Sequence, residues 1–256
     1  MIKISVITVV YNGEKFIKEA IETVLKQTYK NIEFIIVDGK STDNTLEIIS
    51  HYQNKIDVLL SEKDKGIFDA MNKGIARATG DVIVFHNVDD EYTNQNVFDK
   101  VARVFEKMKV DSCYGDLLLI DNKKSRKIVR VWKAGEYSPK KLALGWMPPH
   151  PTFFVKRNIY EEYGGFRCEL WIAADYEIIL RFLGKNKIST YYIPEFLVKM
   201  RMGGNSGTSF KTFFITLYQT YISWIRNWPK KRFTPVFTIF FKKIHKIPQY
   251  HVRIKK

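Results

Sequence analysis

Four short apolar, β-prone runs punctuate the first 90 residues: Lys3–Val10, Ile32–Val37, Ile56–Leu60 and Val82–Phe85. Helical periodicity fills every interval between them. Phe16, Ile17, Ala20, Ile21, Val24 and Leu25 form one amphipathic face over Glu14 to about Gln27, Leu46, Ile48 and Ile49 a second, and Ile67, Met71, Ile75 and Ala78 a third that opens at Lys65-Gly66. Strand and helix in strict alternation fold as a parallel sheet with right-handed crossovers. The last run, Val82–Phe85, is too short for a buried helix and reads as a strand covered on both faces. It stops abruptly in Asn87, Asp89 and Asp90, which places these residues at the carboxyl edge of the sheet, where open α/β sheets hold ligands. Two adjacent carboxylates there need a cation or a hydrogen-bond network. A hard divalent metal with oxygen ligands suits them, and Mg2+ or Mn2+ leaves positions for water and substrate phosphates. The alternative is an Asx turn in which Asp89 or Asp90 caps the next helix.

After Asp90 the spacing predicts a helix over Asn94–Lys109, then strands over Ser112–Ile120 and Lys127–Trp132 that pair around Asp121-Asn122-Lys123-Lys124. Met147-Pro148-Pro149-His150-Pro151 is a loop whose prolines fix the backbone approach to His150, and a strand over Thr152–Val155 follows it. A helix over Asn158–Tyr163 ends at Gly164-Gly165, another runs from Ala173 to Leu183, and Thr190–Ile193 and Phe196–Met202 read as two further strands. No repeat or low-complexity linker divides the first 200 or so residues, and 45% hydrophobic residues suffice for a core of that size.

Several classes are excluded early. Cys113 and Cys168 belong to no CxxC or zinc pattern and read as reduced thiols. The run Ile4–Val10 ends in Tyr11-Asn12-Gly13-Glu14-Lys15 without a cleavage site, as a first strand does and a signal peptide does not. No apolar stretch reaches about 18 residues, so no transmembrane helix is predicted. No GxGxxG follows the first strand and no GxxxxGK[ST] occurs, which argues against a dinucleotide enzyme and a P-loop nucleotidase. Asp38, Asp64, Asp89 and Asp90 nevertheless approach one crevice of a doubly wound sheet, although taken alone Asp38 suits loop capping as well as ligand contact and Asp64 suits capping better.

Order and spacing of the motifs then become specific. They are Ser5-Val6-Ile7-Thr8-Val9-Val10-Tyr11-Asn12, Ile36-Val37-Asp38-Gly39-Lys40-Ser41-Thr42-Asp43-Asn44-Thr45, Ser61-Glu62-Lys63-Asp64-Lys65-Gly66-Ile67-Phe68-Asp69-Ala70-Met71-Asn72-Lys73-Gly74, Thr79-Gly80-Asp81, Asn87-Val88-Asp89-Asp90, Gly164-Gly165-Phe166 and Ala173-Ala174-Asp175-Tyr176. Over residues 4–202 the chain resembles the inverting glycosyltransferases of family 2, in particular bacterial enzymes of polysaccharide assembly. The resemblance implies a GT-A fold: an α/β, Rossmann-like mixed sheet flanked by helices. It divides residues 1–209 into a nucleotide-sugar-binding half, 1–90, and an acceptor and base half, 91–209.

It also implies roles. Thr8, Tyr11, Asn12 and Asp38 would hold the base and ribose of a nucleotide-diphosphate sugar, and Asp64, Gly66 and Asn72 would shape its ribose and sugar side. Asn87, Asp89 and Asp90 stand at the family's DxD-type motif, with Asp89 and Asp90 as metal ligands. Asn87 departs from the acidic form of that motif and adds no charge. Asp175 matches the catalytic base, with Ala174 where an acidic neighbour is usual. Inversion at the anomeric carbon needs a base for the acceptor hydroxyl and a cation for the departing diphosphate, so separate carboxylates must serve the two. His150 aligns with a family histidine near the acceptor or diphosphate, though a lone histidine is often structural. Arg201 and Ser206, flanking Gly203-Gly204, would belong to a loop that closes over the donor. Arg181, two turns beyond Asp175, reads as an internal ion pair.

Residues 210–256 form a basic amphipathic extension outside the matching stretch. They hold eleven basic residues and no acidic one, and subtracting these from the total of +15 leaves +4 for residues 1–209. Phe214, Leu217, Tyr218, Tyr221, Trp224, Ile225 and Trp228 recur at helical spacing, and Val236–Phe241 runs into Lys242-Lys243. Such a helix suits an anionic membrane interface, or packs on the domain with a solvated basic face. The combined expectation is a metal-dependent inverting glycosyltransferase of cell-envelope polysaccharide synthesis. It would be cytoplasmic, peripheral on the inner face of the membrane, with a saccharide or lipid-linked saccharide acceptor and no nucleic-acid partner. Two alternatives are a non-catalytic membrane module that binds nucleotide sugar and a metal-dependent phosphodiesterase acting on nucleic acid.

Overall fold

The structure, a computed structural model, describes residues 1–122, 126–202 and 210–228. One mixed sheet organises them. Its strands are β1 (Ile4–Val10), β2 (Ile32–Asp38), β3 (Val58–Ser61), β4 (Val82–Phe85), β5 (Asp90–Tyr92), β6 (Ser112–Ile120), β7 (Ile128–Trp132), β8 (Phe154–Lys156) and β9 (Thr190–Arg201), in the spatial order β3-β2-β1-β4-β8-β6-β9-β5 with β7 on β6. The pairs among β1 to β4 are parallel, as the alternating sequence requires. Beyond β4 the sheet turns mixed: β8 is antiparallel to both β4 and β6, β6 is parallel to β9, and β5 closes the edge antiparallel to β9. The flanking helices are α1 (Ile17–Leu25), α2 (Thr45–Ser50), α3 (Ile67–Arg77), α4 (Val97–Met108), α5 (Pro139–Ala143), α6 (Arg157–Tyr163), α7 (Ala174–Ile179, continued by a π-helical turn over Leu180–Lys185) and α8 (Phe210–Asn227).

All seven residues of β1 and all four of β4 are buried, as expected of strands sandwiched between helix layers. Period-two alternation divides them. Ile7, Val9, Ile83 and Phe85 enter one core with residues of α3, α6 and α7, while Ile4, Val6, Val10, Val82 and Val84 enter the other with residues of α1 and α4. Each fully buried isoleucine here contributes roughly 1.5–3 kcal/mol from the area it removes from water.

At the amino end of the sheet, Glu33 ties three segments together. Its carboxylate accepts from the Ser5 hydroxyl at 2.6 Å, from the Thr79 amide at 2.8 Å, from the Thr79 hydroxyl, and from Lys3 Nζ at 3.0 Å. Burial pushes its pKa up, but these donors outweigh burial and hold it at about 2.

The two strands expected over Thr190–Ile193 and Phe196–Met202 are one strand. Gly115 pairs with Ile193 and Asp116 with Phe196, so Pro194 and Glu195 bulge out of the ladder. Proline has no N–H to give to a ladder, which is why the sequence there looked like a gap. Gly115 is required opposite the bulge: a Cβ would lie 2.5 Å from Leu197 Cγ and 2.8 Å from the Glu195 carbonyl.

Candidate active site

The carboxyl ends of β1, β2 and β4 form one edge, and the loops that leave them are laced together. Asn12, after β1, sits at φ 50°, a left-handed conformation that asparagine tolerates. Its amide oxygen accepts from Thr42 N at 2.8 Å, and its N–H donates to Ser41 Oγ at 2.8 Å. Beside it Tyr11 is 63% exposed, and Thr8 is buried with a hydroxyl that has no partner among the described residues. Gly39 lets two of the expected donor-side residues approach each other: a Cβ there would lie 2.4 Å from Asp64 Oδ2 and 3.4 Å from Tyr11 Cβ. Asp64 accepts from Gly66 N at 2.8 Å, and Gly66 opens α3 at φ 119°.

Asp38 differs from the base-binding expectation. It is fully buried at the end of β2 and accepts from Lys40 N at 3.1 Å, Ser41 N at 3.1 Å and Ser61 Oγ at 2.7 Å. Its acceptor capacity is used to shape the following turn, the capping alternative that its sequence position also allowed.

The Asp89–Asp90 pair is split in the same way. Asp90 starts β5 with 1% of its surface exposed, and its Oδ2 accepts from Asn87 Nδ2 at 2.8 Å and Asn87 N at 3.3 Å. Burial, and then the neighbouring Asp89 charge, push its pKa well above the usual carboxylate range, so negative charge is less favoured on it than on an exposed carboxylate. Asp89 is half-buried; burial raises its pKa and the Arg201 charge opposes the rise. Among the described residues no group of three His, Cys, Asp or Glu side chains could hold a metal. What fits a cation is the Asp89 carboxylate together with Asn87 Oδ1 and Asp90 Oδ1, two buried oxygens without a partner among the described residues. Such hard donors suit Mg2+ or Mn2+ that keeps its remaining positions for water and diphosphate oxygens.

On the other face of β4 a second cluster forms. His150, in a 3-10 turn set by its flanking prolines, stacks on Phe85 with ring centroids 5.6 Å apart and meets the edge of Phe166 at 5.5 Å. Burial lowers the His150 pKa, and the nearby Asp175 carboxylate pulls it back up. Asp175 lies half-buried in the first turn of α7 and accepts from Tyr176 N at 2.7 Å. Phe85 ends β4 and Asn87–Asp89 follow it directly, so this cluster and Asp89 share one end of one strand.

Two expected site residues lie elsewhere. Asn72 does not face a sugar pocket: its Nδ2 donates to the Phe166 carbonyl at 2.8 Å and its Oδ1 accepts from Phe166 N at 2.7 Å, pinning the Gly164-Gly165-Phe166 loop to α3. Arg201 is 8% exposed; it pairs with Glu91 at 2.6 Å and with Glu19, and it covers the Phe16 ring at 5.1 Å. It is therefore held on the far side of β5, close enough to Asp89 for its charge to be felt there. Ser206 and Gly203-Gly204 lie outside the described residues. Arg181 forms the expected internal pair, with Glu177 at 3.0 Å, and its other donors reach the carbonyls of Gly164 at 2.9 Å and Gly165 at 2.6 Å. Phe85 and Phe166, which hold His150, went unassigned in the sequence because each is indistinguishable there from an ordinary core residue.

Comparison with known proteins gives the family and the fold. The family model Glycosyl transferase family 2 matches residues 5–164. An uncharacterized glycosyltransferase of Mycobacterium tuberculosis is 31% identical over 180 residues, covering 70% of this chain and 68% of the relative. A PGL/p-HBAD biosynthesis glycosyltransferase of Mycobacterium bovis is 24% identical over 239 residues, covering 88% and 91%. Among solved structures, S. aureus TarS 1-349 in complex with UDP-GlcNAc superposes with a TM-score of 0.68 at 16% identity, covering 95% of this chain and 72% of TarS. The mannosyltransferase PcManGT from Pyrobaculum calidifontis, in complex with GDP-Man and Mn2+, gives 0.66 at 15% identity, covering 95% and 70%. These two structures establish the likeness of fold.

Proposed function

The chain belongs to glycosyl transferase family 2, and from that premise we propose that it moves a sugar, with inversion, from a nucleotide-diphosphate donor to a saccharide acceptor in cell-envelope polysaccharide synthesis. The observation that supports the reading is a pair of half-buried carboxylates, Asp89 just beyond β4 and Asp175 in the first turn of α7, whose charge is felt by the His150 stacked on Phe85 at the end of β4. Inversion needs that division of labour. Asp175 takes the proton of the acceptor hydroxyl as its oxygen bonds to the anomeric carbon, while the bond to the diphosphate breaks and its electron pair leaves with the phosphate. A divalent cation held by Asp89 and Asn87 would supply charge neutralisation to that leaving group. Tyr11, Asn12, Asp64 and Gly66 line the side on which the nucleoside and sugar would lie. The fold neighbours TarS and PcManGT, whose ligands are UDP-GlcNAc and GDP-Man with Mn2+, support a donor of this class.

Helix α8 packs on α7, the helix that carries Asp175. Phe214 and Tyr218 on α8 are 54% and 64% exposed, and residues 229–256 carry nine basic residues and no acidic one. Exposed aromatics beside dense positive charge support attachment to an anionic membrane surface and a lipid-linked acceptor at its cytoplasmic face.

A thermal-shift series with UDP, GDP and their sugars, each with and without Mn2+, tests the donor site. One nucleotide should stabilise the fold only with metal, since a ligand that binds only the folded state raises its melting temperature. Asp89→Asn should abolish that shift, whereas Asp90→Asn, at a buried side chain that accepts from Asn87, should keep at least half of it. Equal loss in both variants overturns the division drawn between them.

A further inference from the structure

The first turn of α7 carries Asp175 but has no cap of its own, because Ala173 at the cap position offers no side-chain acceptor. The two residues that lead into it are held from α8. Gln219 is 5% exposed, and its Oε1 accepts from Ile172 N at 2.9 Å and from Ala173 N at 3.2 Å, the latter shared with the Leu170 carbonyl. Two more side chains on α8 grip the residues just past Asp175: Trp224 Nε1 donates to the Tyr176 hydroxyl at 3.0 Å, and Asn227 Nδ2 donates to Glu177 Oε1 at 3.1 Å. The segment around Asp175 is thus held on both sides by a helix that lies beyond the matched family region.

Burial energy alone does not explain this arrangement. Gln219, Ser223 and Asn227, spaced at i, i+4 and i+8, are buried, while Phe214 and Tyr218 remain exposed. A buried amide costs stability unless it is bonded, so a polar stripe facing the domain fixes one register of α8 on α7. Asp175 is oriented by the amide of its own neighbour, Tyr176, so its direction follows the backbone of this turn.

We infer that Gln219 is a positioning residue for the reaction: by holding the amides of Ile172 and Ala173 from α8, it sets where Asp175 meets the acceptor hydroxyl. The inference rests on the assignment of Asp175 as base. Gln219→Met removes the acceptor at similar volume, and Gln219→Glu keeps it. With the UDP- or GDP-sugar that gives the largest thermal shift, release of nucleoside diphosphate should fall about tenfold or more in kcat for Gln219→Met, while KM for the donor stays within about twofold. Gln219→Glu should restore kcat to within about threefold of the parent. Amide hydrogen exchange at residues 172 and 173 should quicken in the Met variant and recover in the Glu variant, which reads this contact independently of turnover. Unchanged kcat in Gln219→Met, or an equal loss in both variants, overturns the inference. Asp175→Asn in the same assay separates the two levels: full turnover in that variant sinks the base assignment, whereas its loss beside an unaffected Gln219→Met sinks only the role of Gln219.

Discussion

Replacing Asn72 by alanine decides between two uses of that side chain. As a sugar contact, its loss would weaken donor binding and leave the fold alone; as the clamp seen here, its loss unties α3 from the Phe166 loop. The clamp consists of bonds to Phe166 O at 2.8 Å and from Phe166 N at 2.7 Å, with a weaker contact to Cys168 Sγ at 3.4 Å. Each of the two good bonds is worth about 1 kcal/mol net, and the part-buried backbone groups left behind raise the total to roughly 2–4 kcal/mol. For a domain of this size 1 kcal/mol corresponds to about 2–4 °C, so Asn72→Ala should lower the melting temperature by roughly 5–15 °C. Differential scanning fluorimetry reads the shift, and isothermal titration with the cognate nucleoside diphosphate should give a dissociation constant within about threefold of the parent. A melting temperature within 1 °C of the parent, with donor affinity reduced tenfold or more, would refute the clamp and restore the sugar-contact reading.

Two further outcomes follow from the same coordinates. Glu33 is held at about 2 against an ordinary value near 4.5, so its contribution is full above pH 4.5 and is lost as pH falls through 2; urea unfolding should show Glu33→Gln about 3 kcal/mol less stable than the parent at pH 7, with the gap narrowing progressively between pH 5 and 2. Phe214 and Tyr218 are exposed, so the double change to glutamate should leave the melting temperature within about 2 °C of the parent while reducing co-sedimentation with anionic vesicles several-fold; undiminished vesicle binding would remove α8 from the membrane contact.

What the sequence discloses follows from how each element is stabilised. β1, β2 and β4 are legible because strands buried on both faces must be continuous apolar runs, and the helices between them because each has one dry face. β9 is not, since Pro194-Glu195 bulges and breaks the run in sequence but not in space. For α8 the sequence shows one apolar arc but not which arc the domain covers. Its large apolar side chains at 217, 218, 221, 224, 225 and 228 share one arc of about 120°, yet the fold buries the neighbouring arc of Gln219, Ser223, Asn227 and Trp224 and leaves Tyr218 64% exposed. The site residues divide along the same line. Asp175 and Asp89 stand half-buried at the crevice, but Asp38, Asn72 and Asp90 hold backbone or neighbouring amides, and a polar residue at a strand end is equally suited to either use until its partners are known.

The split between Asp89 and Asp90 bears on the chemistry itself. A nucleotide diphosphate brings its own negative charge to the edge of β4, and two ionised carboxylates side by side would repel it before any cation arrived. Burial of Asp90 beside the Asp89 charge disfavours negative charge there, opposed by Asn87 donating to its Oδ2, and shifts the charge of the motif toward Asp89. Asn87 at the first position of the motif is then compatible with function: it lowers the negative charge the diphosphate must meet, offers an oxygen to a cation, and uses its amide nitrogen to hold Asp90 inward. An acidic residue at position 87 could supply the oxygen but not that nitrogen, so Asn87→Asp would set a third carboxylate against Asp90 instead of bracing it.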